Sequence, residues 1–170
     1  MLSVPELYEY SSKVRRRFTI KLSELPWEEV TKNREASFYS MRNILIHMID
    51  NEDWIVSWVI HNNSQDYKRE KKADEYLSMN DIFAHLDKIE AKTKDYLKNT
   101  RNNPAEFDRR INFVLSSGNS FDLSVEEALF QSFTEQLYHL GELIALLWQD
   151  DIEPPQMQWF WNNPRQPQFS

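Results

Sequence analysis

Residues 124–148 read SVEEALFQSFTEQLYHLGELIALLW. Ser124 followed three residues later by Glu127 is a capping box, which marks a helix start. Leu129, Phe133, Leu137, Leu140, Ile144 and Leu147 then recur at three- and four-residue steps, the apolar face of one long helix. Beside that face runs a polar line of Ser132, Glu135, His139 and Glu142. Glu135 and His139 are four apart, so their side chains leave adjacent turns in the same direction. A carboxylate and an imidazole at that spacing can hold one divalent metal between them. A hydrogen-bonded surface pair satisfies the same spacing, so the pair alone does not decide between the two.

The rest of the composition narrows the field. A chain of 170 residues fits one domain with a core large enough to need no staples. It has no cysteine, which excludes disulfides, zinc–thiolate sites, iron–sulfur clusters and a catalytic thiol. With no signal-peptide pattern, this points to a cytoplasmic protein. The formal charge of −7 argues against a nucleic-acid partner. Charges break every apolar run well short of the roughly 20 residues a membrane span needs, so no membrane association is expected. Only Gly118 and Gly141 are present, too few for a phosphate-cradling loop or a fold with many tight turns. An all-α architecture is the expectation.

Three further helices are predicted. The first covers 4–25, with Ser3 as cap, Pro5 in the first turn and Val4, Leu7, Tyr8, Val14, Phe18, Leu22 and Leu25 in helical spacing. Arg15, Arg16 and Arg17 read as a solvated basic face. Pro26 ends this helix, and 27–36 reads as a charged connection. The second helix starts at Ser37 or Ser40 and runs to about Ile60. Ile44, Leu45, Met48, Ile55, Val56 and Val59 form its core face, and His47 lies on a neighbouring stripe with Asn43, Asn51, Trp54 and Trp58. His61 reads as a terminal residue. A polar surface loop, 62–77, leads to a third helix over 79–98, capped by Ser78, on which His85 reads as exposed. Two short extended pieces within 107–121, around Gly118, predict a small hairpin. From about residue 150 the chain is rich in proline and aromatics. Pro154, Pro155, Pro164 and Pro167 argue against a regular helix there. Trp159, Phe160 and Trp161 are too apolar for a free tail, so they should fold back on the bundle or bury in a partner subunit.

Four helices with a long loop between the second and third predict a four-helix bundle that is not simple up-down-up-down. Such bundles build sites from side chains on facing helices. If the second and fourth helices are neighbours, His47, Glu135 and His139 converge on one centre with open coordination positions, the mark of an exchangeable site.

The stretch SMRNILIHMIDNEDWIVSW at 40–58, with FTEQLYHLGELIALL at 133–147, resembles the DinB-like superfamily of metalloproteins. In that family a histidine sits midway along the second helix. Two more ligands lie four apart on the last, the second opening a stretch that here is His139-Leu140-Gly141-Glu142-Leu143. The first of these two is usually histidine; this chain has Glu135. A carboxylate still ligates zinc, nickel, manganese or iron, though it makes a harder centre. Glu142 is the reserve ligand and is expected just outside the first ring of donors.

The resemblance implies a four-helix bundle, often a homodimer, carrying a divalent metal, with zinc or nickel ahead of manganese or iron. It also implies a thiol-dependent transferase that uses the metal to activate a low-molecular-weight thiol. Asn51, Trp54, Trp58 and Tyr138 would then wall the pocket. Two other functions fit the same residues: a metal-dependent hydrolase acting through bound water, and a non-enzymatic dimeric bundle whose histidines are satisfied core groups.

Overall fold

The computed structural model describes residues 3–115 and 117–162, with only the backbone of Trp161. Each long helix starts where a serine supplies a side-chain acceptor to the orphan amides of the first turn. Ser3 caps α1 (Val4–Ser23), Ser40 caps α3 (Met41–Ser57), Ser78 caps α4 (Met79–Arg101) and Ser124 caps α6 (Val125–Gln149). The capping boxes of Ser3 with Glu6 and Ser124 with Glu127 are both formed.

Shorter elements fill the connections. The stretch expected as plain connection contains a one-turn helix, α2 (Trp27–Thr31), started by Pro26, whose Val30 is buried. After α4 come α5 (Ala105–Asp108) and the expected hairpin, β1 (Arg110–Val114) against β2 (Ser120–Ser124), with Arg110 opposite Ser124 and Val114 opposite Ser120. Gly118 in its loop has φ +86, a backbone conformation that glycine adopts freely. A last short helix, α7 (Trp159–Asn162), forms where the prolines argued against one. It fits because it lies between Pro155 and Pro164 and spans only one turn. Pro164 and Pro167 lie outside the described residues.

Side-chain contacts fix how the four long helices are arranged. Tyr8 of α1 meets Phe133 of α6, and the α1 residues nearer its end, Phe18 and Leu22, share a core cluster with Leu143 and Leu147. These two helices therefore run parallel. Glu52 and Asp53 of α3 meet Thr93 and Lys92 of α4, and His61 beyond α3 faces Tyr96, so that pair is parallel too. Across the bundle the directions oppose. Ser37, just before α3, reaches Glu142, whereas Asn51 within α3 reaches Glu135. The long helices thus run up-down-down-up, with α1 and α3 on one diagonal and α4 and α6 on the other. Two connections cross the ends diagonally, and 58–78 travels back along the bundle. That return segment is tied down: Tyr67 donates to the Asp50 carbonyl, and Tyr76 is buried in the core.

Two apolar clusters fill the bundle, one toward each end. Between them lies a buried polar layer to which all four helices contribute. Arg15, fully buried, donates to Glu52 at 2.6 Å, and Glu52 also accepts from Thr93 at 2.6 Å and Gln136 at 2.8 Å. The basic run is therefore not one solvated face. Successive helical residues diverge by about 100°. Arg15 points inward, Arg16 pairs with Asp87 and Glu90, and Arg17 binds the Asn162 side chain in α7. His85 is likewise buried, not exposed. Its Nδ1 is hydrogen-bonded with the Tyr76 hydroxyl at 2.6 Å, and burial pushes its pKa down. Trp159 folds onto the bundle with its ring 4.9 Å from that of Tyr10, while Phe160 stays exposed; the Trp161 side chain lies outside the described residues. Among the described residues, no helix is long and apolar enough to cross a membrane.

Candidate metal centre

Antiparallel packing of α3 on α6 sets His47 opposite Glu135 and His139. His47 donates from Nε2 to Oε1 of Glu135 at 3.1 Å, and the same oxygen is 3.8 Å from Nε2 of His139. The two imidazoles meet edge to face with ring centres 4.7 Å apart. One ligand atom from each of the three lies within 4.8 Å of the other two. Tetrahedral donors about 2.1 Å from one ion stand roughly 3.4 Å apart, so small side-chain rotations bring this set onto a divalent cation. The chemistry fits as well: two neutral nitrogens and an anionic oxygen suit zinc, nickel, manganese or iron.

The electrostatics prepare the donors. His139, then a hydrogen bond to His47, holds the Glu135 carboxyl down at about 2, so it is ionised at any physiological pH. Burial works to lower the His139 pKa, but Glu135 and Glu142 outweigh it and raise the group above its ordinary value. Asn51 donates to the other oxygen of Glu135 at 3.4 Å. Nδ1 of His139 donates to Oε2 of Glu142 at 3.2 Å, which fixes the tautomer and leaves Nε2 facing Glu135 and His47. Glu142 also accepts from the Ser37 amide and hydroxyl, both at 2.8 Å. Burial tends to raise its pKa, but the two Ser37 bonds and His139 bring it below the usual value.

The remaining sequence-predicted residues divide. Tyr138 lines an open cleft of about 520 Å³ beside the centre, together with Gln131, Thr134, Glu135 and His139. Trp54 and Trp58 do not line it. Trp54 bonds the Ser64 carbonyl and packs edge-on against Phe113, and Trp58 stands against Tyr67. They cover the return segment and the hairpin, because their side chains leave α3 one and two turns beyond Asn51.

One contributor has no sequence signature. Phe38, in the connection before α3, stacks on the His47 ring at 4.0 Å and 19°, and meets His139 edge-on at 5.3 Å. Phe38 and Tyr39 side by side between Ser37 and Ser40 carry no helical periodicity, so nothing local marks Phe38.

The chain is thus a capped up-down-down-up helical bundle with a two-histidine, one-carboxylate group between its second and last long helices that could hold a metal ion. The chain belongs to the DinB family, whose model matches residues 1–168. No curated protein matches the chain.

Proposed function

We propose that this DinB-family protein is a divalent-metal-dependent transferase acting with a low-molecular-weight thiol. The observation that supports it is the convergence of His47, Glu135 and His139 beside an open cleft, so that a small ligand can reach the donors from the Gln131, Thr134 and Tyr138 side. A divalent ion held there would supply Lewis acidity, lowering the pKa of a coordinated thiol or water toward neutrality. The chain's own residues then have distinct tasks. Glu135 supplies the negative charge, Glu142 holds the His139 proton on Nδ1, and Asn51 orients Glu135. Tyr138 and Thr134 offer hydroxyls at the open side of the cleft.

A second reading draws on the carboxylate at position 135. An oxygen donor makes the centre harder than three imidazoles would, which favours a hydrolase working through bound water. One titration separates the two readings. Cobalt-substituted protein should develop a near-ultraviolet thiolate-to-metal band when a low-molecular-weight thiol is added. A spectrum indifferent to thiols, with ester or amide hydrolysis by the zinc form, would move the assignment to the hydrolase. Elemental analysis of the purified protein identifies the metal.

We further propose that the protein is a homodimer. Phe130 and Trp148 are exposed large aromatics on one face of α6, beside the cleft, and the small residues Gly141 and Ala145 lie between them on that face. Aromatics around a small-residue strip suit the self-complementary contact of a two-fold pair. Trp148→Glu should convert a dimer to monomer in sedimentation; a wild-type chain that sediments as a monomer at high concentration ends this reading.

A further inference from the structure

The connection before α3 is more constrained than a linker needs to be. The Arg34 amide donates to the Tyr39 carbonyl at 2.7 Å, the Tyr39 amide to Ala36 at 3.0 Å, and the Glu35 amide to the Asn33 side chain at 3.0 Å. Glu35 and Tyr39 both sit in the left-handed region, with φ 55 and 69, although neither is glycine. Such backbone persists only where surrounding contacts over-determine it, and it concentrates at functional sites. Arg34 and Ser37 make those contacts here. Arg34 is anchored to Glu29 at 2.9 Å and to Asp150 at 2.7 Å, and Ser37 is clasped by Glu142 through both amide and hydroxyl. The product of this constraint is the placement of Phe38 flat on one histidine and edge-on to the other.

We propose that residues 33–39 belong to the metal centre, with Phe38 and the Ser37–Glu142 clasp acting as positioning residues for His47 and His139; this rests on the metal reading of those histidines. Phe38 fixes the ring plane of His47 by stacking and closes that side of the centre. Ligands are thereby restricted to the cleft along α6. Glu142 joins the two halves, because one carboxylate holds both the His139 Nδ1 proton and the Ser37 backbone. A displacement of the connection therefore moves His139, and a reorientation of His139 loosens the connection. A connection that merely tethers chain to bundle would not need one of its side-chain latches to be the partner of a ligand histidine.

The test uses the full-length protein with cobalt(II) as the probe. Affinity is measured by chelator competition, histidine geometry by the visible d–d spectrum, and the connection by hydrogen exchange of the 37–39 amides with and without the ion. In the wild type, cobalt should slow exchange of these amides about tenfold. Glu142→Gln should weaken cobalt binding about 10–100-fold, as loss of a histidine's orienting partner does, and abolish the slowing. Ser37→Ala, at an exposed position that leaves α6 intact, should weaken binding severalfold and speed exchange at 37–39. Phe38→Leu should shift the d–d bands. Wild-type affinity and spectrum in both Ser37→Ala and Phe38→Leu, with exchange indifferent to cobalt, would overturn the proposal while leaving the metal site standing. A wild-type chain that binds cobalt no better than His47→Ala would instead remove the metal reading, and this proposal with it.

Discussion

Arg15 of α1 and Glu52 of α3 meet at 2.6 Å in the middle of the bundle, both completely buried. The same Glu52 oxygen also accepts from Gln136, the residue after Glu135, and Glu52 itself follows Asn51, which bonds Glu135. The buried ion pair thus stands next to the candidate metal centre, and Glu52, through Gln136, joins the two helices that carry it. Removing one partner of such a pair strands a charge in a low-dielectric interior.

Arg15→Ala should therefore destabilise the protein by about 3–5 kcal/mol, as breaking a buried pair does. The double variant Arg15→Met with Glu52→Leu should recover much of this, because apolar replacements of similar volume remove both desolvation costs. Chemical denaturation of the metal-free forms measures both. A double variant as unstable as the single one would mean that Thr93 and Gln136, left without Glu52, dominate the layer.

Glu135→Gln keeps the shape of the side chain but removes its charge, and should weaken zinc binding at least about tenfold. Glu135→His should retain the ion, because imidazole at that place completes a three-histidine set. Competition with a chelator gives both numbers. Unchanged affinity in Glu135→Gln would transfer the third donor to water or to Glu142.

The pH dependence has opposite signs with and without metal. Glu135 is held well below its ordinary 4.5, so its stabilising contribution is present above that value and fades as pH falls toward about 2. His139 is raised above its ordinary 6.5, so its contribution is complete below that value and is lost as pH rises through the folded pKa. Metal-free protein should gain most from this pair between roughly pH 4.5 and 6.5. Zinc requires an unprotonated Nε2 on His139, so the rise in Tm on adding zinc should grow from pH 5 to pH 8. Melting curves across that range decide it, and a zinc effect independent of pH would remove His139 from the donor set.

Truncation before Pro154 deletes contacts made by α7 to α1. Trp159 is lost from Tyr10, Asn162 from Arg17, and the chain carbonyls of Met157 and Asn162 from Tyr10 and Lys13. The shortened chain should melt lower and bind a hydrophobic dye through the uncovered Tyr10. Sedimentation of the same sample separates roles: a stable monomer would place the tail at a subunit interface, whereas an unchanged Tm would mean the tail covers nothing that matters.

What the sequence determines by itself is whatever is written within a few residues. Serine acceptors at 3, 40, 78 and 124 place the starts of the four long helices, and three-four spacing of apolar residues gives their inner faces, because capping and periodicity are local. The common direction of Glu135 and His139 follows from the helix alone. Only the tertiary structure decides which helices touch. The arginine run 15–17 gives no sign of which guanidinium turns inward, since that depends on Glu52 arriving from α3. His85 sits on a stripe that reads as exposed until the return segment lays Tyr76 over it. Phe38 reaches two histidines on different helices only because a short, strained connection crosses the end of the bundle, and its contacts at 47 and 139 are set by that crossing and not by any spacing in the chain.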